Sequence, residues 1–143
     1  MKIFNKKPIL VLDIDGVFNS LSTIVGERYL IKHKYGTWQI TKENAEFLKH
    51  ISALAKCYWI STWQDESNVI NDYLGIKHFK SIYTGDKIKD ITKIKGKKIL
   101  LVDDEISAEN FIDYDSIECL QPNQGTGLVE ENRSYIYEWI NQM

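Results

Sequence analysis

Apolar runs in this chain are short, and each stops on polar residues. Ile9-Leu10-Val11-Leu12 runs into Asp13, Cys57-Tyr58-Trp59-Ile60 into Ser61, and Ile99-Leu100-Leu101-Val102 into Asp103. Four consecutive apolar residues between polar boundaries read as strands covered on both faces, the pattern of a parallel sheet. Between these runs, apolar residues recur at helical spacing. Ala45, Leu48, Ile51 and Leu54 predict a helix opening at Thr41, which has the side chain of an N-cap. Val69, Ile70, Tyr73 and Leu74 predict a second helix that Gly75 closes, and Ile88, Ile91 and Ile94 a short third one. Lys80 to Tyr83 reads as a short strand, Ile117 to Leu120 as a fifth, and Leu128 to Ile140 as a closing helix. Strand and helix therefore alternate along the whole chain. With right-handed crossovers this order predicts a three-layer α/β/α sandwich around a mostly parallel, Rossmann-like sheet, whose functional edge lies at the strand carboxyl ends.

Composition sharpens this picture only in places. The 143 residues fit one domain, and no linker-like segment or internal repeat divides them. Apolar residues at 43% and charged residues at 27% are ordinary for a globular chain. A formal charge of −2 gives no protein-wide positive field, so a polynucleotide would have to be held by a local patch. Cys57 and Cys119 lack metal-type spacing and fall in predicted strands, as reduced core residues do. The basic start Met1 to Lys7 precedes an apolar run that ends at Leu12, too short for a signal peptide or a membrane span. The expectation is a cytoplasmic protein with no membrane partner. His33, His50 and His78 show no ligand spacing.

Chemistry concentrates at the strand ends. The first strand delivers Asp13 and Asp15, followed by Gly16; the second delivers Ser61 and Thr62; the fourth delivers Asp103, Asp104 and Glu105. Lys87 opens the helix that feeds the fourth strand, within reach of the same crevice. A phosphate monoester suits this set. Carboxylate and phosphate are both anionic, and at ~3.5 Å with an effective dielectric near 20 each pair of unit charges repels by roughly 5 kcal/mol. A Mg²⁺ held by Asp13, the backbone carbonyl of Asp15 and one of Asp103 or Asp104 would cancel that repulsion, with Lys87 and Ser61 completing the clamp. Gly16 and Thr62 belong to the expected substrate-binding set. Each motif alone has a plainer reading. Asp-x-Asp-Gly also fits a turn or a calcium loop, although the calcium loop's further acidic ligands and distal Glu are missing. Ser61, or one of Asp103 and Asp104, fits a helix cap, Glu105 a solvated acid, and the lysines a solvated helix face.

Taken in order, the four motifs resemble those of the haloacid dehalogenase superfamily: Asp-x-Asp after strand one, Ser or Thr after strand two, a later Lys, and paired acids after strand four. The resemblance covers nearly the whole chain. Trp59-Ile60-Ser61-Thr62-Trp63, Asp103-Asp104-Glu105 and Gly127-Leu128-Val129-Glu130-Glu131 look like the small phosphatase domains associated with RNA-repair proteins. The resemblance implies an aspartyl-phosphate mechanism in which Asp13 is the nucleophile and Asp15 the acid that protonates the leaving oxygen, then activates water. For that role Asp15 needs a raised pKa, which neighbouring carboxylates favour. Superfamily dehalogenases and phosphonatases lack the second Asp, so Asp15 favours phosphate transfer. By the same resemblance Asp104 is first choice for the metal, leaving Asp103 to orient Lys87 or a metal-bound water. Lys89 remains an alternative to Lys87, since Lys-Asp-Ile resembles the motif of small phosphatases acting on polymerase tails.

Superfamily members acting on small metabolites usually carry a cap domain, and no insertion here is large enough to be one. Residues 18–40 suffice for a hairpin flap, and residues 64–86 are used up by a helix and a short strand. The site should then be open, which suits a phosphate at a polymer end or on a protein surface. Trp38, Tyr35 and Trp63 are candidate stacking surfaces for unpaired bases, or ordinary packing residues. Lys87, Lys89, Lys93, Lys95, Lys97 and Lys98 are a candidate backbone-tracking patch. The expectation is a Mg²⁺-dependent phosphatase, with a nucleic-acid end as one substrate and phosphoproteins or small metabolites as the alternative. Two readings from another class remain, a non-catalytic phosphoacceptor and a silent binding module. A response-regulator receiver would carry Lys98 to Glu105 as its first strand, with far more chain beyond it than the 40 residues (143 − 103) that follow Asp103.

Overall fold

The computed structural model describes residues 7–20, 26–95 and 98–142. Its strands are β1 (Ile9–Leu12), β2 (Arg28–His33), β3 (Gly36–Thr41), β4 (Lys56–Trp59), β5 (Lys80–Ser81), β6 (Ile99–Val102) and β7 (Ile117–Leu120). The α-helices are α1 (Lys42–Leu54), α2 (Asn68–Leu74), α3 (Lys87–Thr92) and α4 (Glu130–Asn141), with 3-10 turns at Gln64–Ser67 and Ala108–Phe111. Five strands form one sheet in the order β5-β4-β1-β6-β7, and every pairing in it is parallel.

The central strand β1 and its neighbour β6 are buried at every position, with both faces of the sheet covered there. Alternation along the strands sorts their side chains between two cores. Leu10, Leu12, Cys57, Trp59, Leu100 and Val102 pack with α1, α2, α4 and the β2–β3 hairpin. Ile9, Val11, Ile99, Leu101 and Ile117 pack on the other side with Ile91 of α3 and Phe111. Register then sets the working edge. Leu12 is level with both Trp59 and Val102, so β1, β4 and β6 release their next residues side by side.

Thr41 caps α1 as expected, its side chain accepting a hydrogen bond from Asn44 N at 3.2 Å. The buried face of that helix is Asn44, Ala45, Phe47, Leu48 and Ile51, whereas Leu54 is 46% exposed. A strict three-residue spacing falls short of a full turn by about 60° each time, so three steps from Ala45 carry Leu54 to the opposite side. Gly75 ends α2 in the left-handed region at φ 70°. The third strand of the sequence reading shrinks to Lys80–Ser81, and the helix expected to include Ile94 ends at Thr92. The last helix starts at Glu130 rather than Leu128, whose backbone N–H instead donates to Val17 O at 2.8 Å.

Between β1 and α1 the described residues hold only the β2–β3 hairpin. It is not a loose flap. Ile31, Trp38 and Ile40 are buried in the main core, and Lys34 N–H at its turn donates to Glu66 Oε2 at 2.6 Å. Cys57 is a buried free thiol pushed up to about 12 by burial, and Cys119 a half-buried one at about 11 for the same reason. Among the described residues no helix is long and apolar enough to cross a membrane.

Candidate active site

Backbone pairing extends one residue past the strand ends and fixes the acids before any side-chain contact does. Asp13 N–H donates to Val102 O at 3.0 Å, Ile60 N–H to Leu12 O at 2.9 Å, and Asp103 N–H to Leu120 O at 3.2 Å. Asp13 is 6% exposed and Asp103 wholly buried. Between them lies the ammonium of Lys87, 2.9 Å from Asp13 Oδ2 and 2.8 Å from Asp103 Oδ2. The remaining oxygens take backbone donors: Asp13 Oδ1 accepts from Ile14 N, and Asp103 Oδ1 from Glu105 N and Ile106 N.

Lys87 reaches this position because α3 begins at it. Asp86 caps the helix by accepting from Lys89 N, and the loop ahead is tied down by buried Asp90, which accepts from both the backbone N–H and the hydroxyl of Thr84. Lys89, two residues on and so about 200° around the helix, is exposed. Of the two candidate lysines, Lys87 is therefore the one at the acids. The sequence shows Asp90 only as the middle of Lys89-Asp90-Ile91, which draws attention to the lysine and gives the acid no role.

Asp13, Asp103 and Asp104 each offer an oxygen within 4.8 Å of the others, so these three are the candidate metal ligands. Both oxygens of Asp103 are already engaged, whereas Asp104 leans on Gly16 so closely that a Cβ there would lie 2.3 Å from Asp104 Oδ2. Gly16 is also left-handed, at φ 77°. Burial, opposed by the charge of Lys87 and reinforced by Asp103, pushes the Asp13 carboxyl up to about 7. Asp104 is raised as well, by burial and then by the charge of Asp103. Burial pulls Lys87 down, but the attraction of Asp13 and Asp103 outweighs it and leaves the ammonium raised. The donor set is three carboxylates with more negative charge than one lysine balances. Hard oxygen donors with excess negative charge could hold a hard divalent cation.

Asp15 is placed quite differently. Its side chain is exposed and turned toward neutral donors: Asn19 Nδ2 donates to Oδ1 and Trp63 Nε1 to Oδ2, both at 2.9 Å. Asn19 in turn accepts from Gln39 N of β3 at 2.8 Å. Trp63 packs edge-on against Trp38 and His33, with ring centroids 5.8 and 4.8 Å apart. Asn19 was also missed, because its partners are a turn acid and a strand amide that no local pattern links.

Trp38 does not offer the stacking surface expected of it. It is 1% exposed, and His33 covers its face at 3.8 Å between centroids. The alternation Thr37, Trp38, Gln39, Ile40 held the signal, since period two puts Trp38 on the buried side with Ile40. Tyr35 is 66% exposed and lies against Trp63. The lysine patch is also not a helix face. α3 ends at Thr92, so Lys93 and Lys95 lie beyond it and Lys98 just before β6, while Lys97 is outside the described residues.

Ser61 is 1% exposed, and its Oγ accepts from Trp63 N at 3.1 Å, which leaves the hydroxyl hydrogen to donate elsewhere. It caps a turn rather than a helix. Thr62 is exposed beside it. The loop carrying Asp13 to Val17 is braced from behind by Gly127, where a Cβ would meet Val17 O at 2.5 Å. Two surface clefts along α4, lined by residues such as Glu130, Ser134 and Tyr137, share no residue with the acid cluster. Comparison of the chain with protein-family models and with curated proteins finds no match.

Proposed function

We propose that this chain is a Mg²⁺-dependent phosphatase of the haloacid dehalogenase type, with a three-layered α/β/α fold, hydrolysing a phosphate monoester through an aspartyl-phosphate on Asp13. One observation carries the reading: Asp13, Asp103 and Asp104 converge within 4.8 Å at the ends of adjacent parallel strands, with the Lys87 ammonium bridging the first two. A cluster of three acids, two of them buried, around one cation is a poor way to stabilise a fold, because desolvation offsets the attraction. It suits a site that receives a cation and a phosphate.

Asp13, Asp104 and the Asp15 carbonyl would hold the metal. Bound there, Mg²⁺ would neutralise charge on the phosphate oxygens and favour ionised Asp13. A carboxylate oxygen of Asp13 attacks phosphorus, the bond to the leaving oxygen breaks, and Asp15 gives that oxygen its proton. In the second half-reaction Asp15 takes a proton from water as the water oxygen bonds to phosphorus, releasing inorganic phosphate and restoring Asp13. Lys87 neutralises charge around Asp13 throughout, and Asp103 holds Lys87 in place. Ser61 has a hydroxyl hydrogen to donate to the phosphate.

For a nucleic-acid end the support is narrower: Tyr35 is an exposed aromatic lying against Trp63, the donor to Asp15, with the Lys34 ammonium 5.4 Å from its ring centroid. The reading therefore centres on the ester and leaves its alcohol open. Turnover of a simple phosphate monoester tests it. The expected result is activity with Mg²⁺ that disappears in chelator and in a folded Asp13→Asn protein. Activity surviving either change would overturn the mechanism.

A further inference from the structure

We propose that Trp63 and Asn19 are positioning residues that aim Asp15, and that the β2–β3 hairpin holds both of them in place. This rests on Asp15 being the general acid of the phosphatase reading. An exposed aspartate ordinarily samples several rotamers, and a proton donor that wanders misses its acceptor. Here each carboxylate oxygen has one donor at 2.9 Å, the Trp63 indole N–H on Oδ2 and the Asn19 amide on Oδ1. Two donors on the two oxygens fix both the position and the plane of the group.

Neither donor is free to drift. Asn19 sits in the turn closed by Gly16 N–H to Asn19 O at 2.8 Å and by Asn19 N–H to Ile14 O at 2.9 Å, and its side-chain oxygen accepts from Gln39 N on β3. Trp63 is wedged against Trp38 and His33 of the hairpin. Gln64, which follows it, has φ 54°, a left-handed conformation that non-glycine residues rarely adopt. The hairpin is anchored by the burial of Ile31, Trp38 and Ile40. A segment that the sequence presents as a cover for the site thus becomes the frame against which its acid is set. Both clamp donors are neutral, so the clamp orients Asp15 without adding a charge beside the phosphate.

Trp63→Phe removes the indole N–H and keeps an aromatic ring, and Asn19→Ala removes the second donor. Both are compared with the unaltered protein on an alkyl phosphate, whose alkoxide needs a proton to leave, and on nitrophenyl phosphate, whose phenolate leaves largely without one. Trp63→Phe is expected to lower kcat on the alkyl ester by about tenfold or more, with a far smaller loss on the nitrophenyl ester. Asn19→Ala should act in the same direction, and the unfolding midpoint of Trp63→Phe should stay near that of the unaltered protein. Equal losses on the two esters, or none on either, with the unaltered protein active, would overturn the clamp and leave the phosphatase reading standing. No turnover of either ester by the unaltered protein would overturn both. The hydrogen bond itself is read without activity by NMR: of the four tryptophan indole N–H signals, the one lost in Trp63→Phe should move in Asp15→Ala. If it does not move, the clamp is wrong whatever the kinetics show.

Discussion

Asp13 and Asp15 stand two residues apart in one loop, yet one is buried among charges and the other exposed among neutral hydrogen-bond donors. The difference comes from position relative to the sheet. Asp13 is the first residue past β1, still paired to β6 through its backbone, so its side chain meets Lys87 and Asp103 in the low-dielectric gap between strand ends. Asp15 lies beyond the bend and meets Asn19 and the indole of Trp63. The burial of Asp13 makes its charge costly, and whatever neutralises that charge gains accordingly. The exposure of Asp15 keeps it reachable by water and by a leaving group. In the mechanism proposed above, one residue type at a spacing of two serves as nucleophile on one side and as proton carrier on the other.

The largest effect that can break this contrast is on catalysis. Asp15→Asn should lower turnover of an alkyl phosphate by ~10² to 10⁴-fold while sparing much of the nitrophenyl activity, since only the poor leaving group needs the proton. A steady-state comparison of the two esters checks it, and equal losses would make the two aspartates alike after all.

Next is the charge balance on the buried side. Lys87→Met leaves two facing carboxylates without their cation, and breaking such a pair costs about 3 to 5 kcal/mol, with the 18% exposure of Lys87 favouring the low end. The sign with pH follows from Asp13. Its folded carboxyl is raised from 3.8 to about 7, and Lys87 opposes that rise, so removing the lysine raises it further. A carboxyl raised by folding is tolerated while protonated, and stability is lost as pH climbs from the unfolded value through the folded one. The deficit of Lys87→Met should therefore be larger at pH 8 than at pH 5 in urea unfolding. A deficit that is the same at both would mean that the lysine does not serve the acids.

The smallest effect sharpens the role of Asp104. Gly16→Ala forces a left-handed alanine, at a cost of about 1 to 2 kcal/mol, and presses a Cβ onto the Asp104 carboxylate. Calorimetric titration should show weaker Mg²⁺ binding with the fold retained, whereas unchanged binding would remove Asp104 from the ligand set.

Much of the scaffold was legible because its signals are local. β1 and β6 read as strands since their burial on both faces demands unbroken apolar runs, and the acids follow them directly. Thr41 and Gly75 read correctly as helix boundaries because a side-chain cap and a left-handed glycine are local requirements. What escaped depends on contacts across the chain. Trp63 and Asp15 are 48 residues apart, and nothing in either neighbourhood announces a hydrogen bond between them. The choice of Lys87 over Lys89 depends on where α3 begins relative to β6, a rotation the sequence leaves open. Trp38 was readable but misassigned, since its alternation with Thr37 and Gln39 already placed it inward.

The most direct measurement is to trap the covalent intermediate. The protein is mixed with nitrophenyl phosphate and Mg²⁺, quenched in acid within the first turnover, digested and analysed by mass spectrometry. The account predicts one phosphoryl group on Asp13, absent in Asp13→Asn and in chelator, and gone once substrate is exhausted. Turnover without a phosphoryl group on Asp13, or with one on another residue, would contradict it.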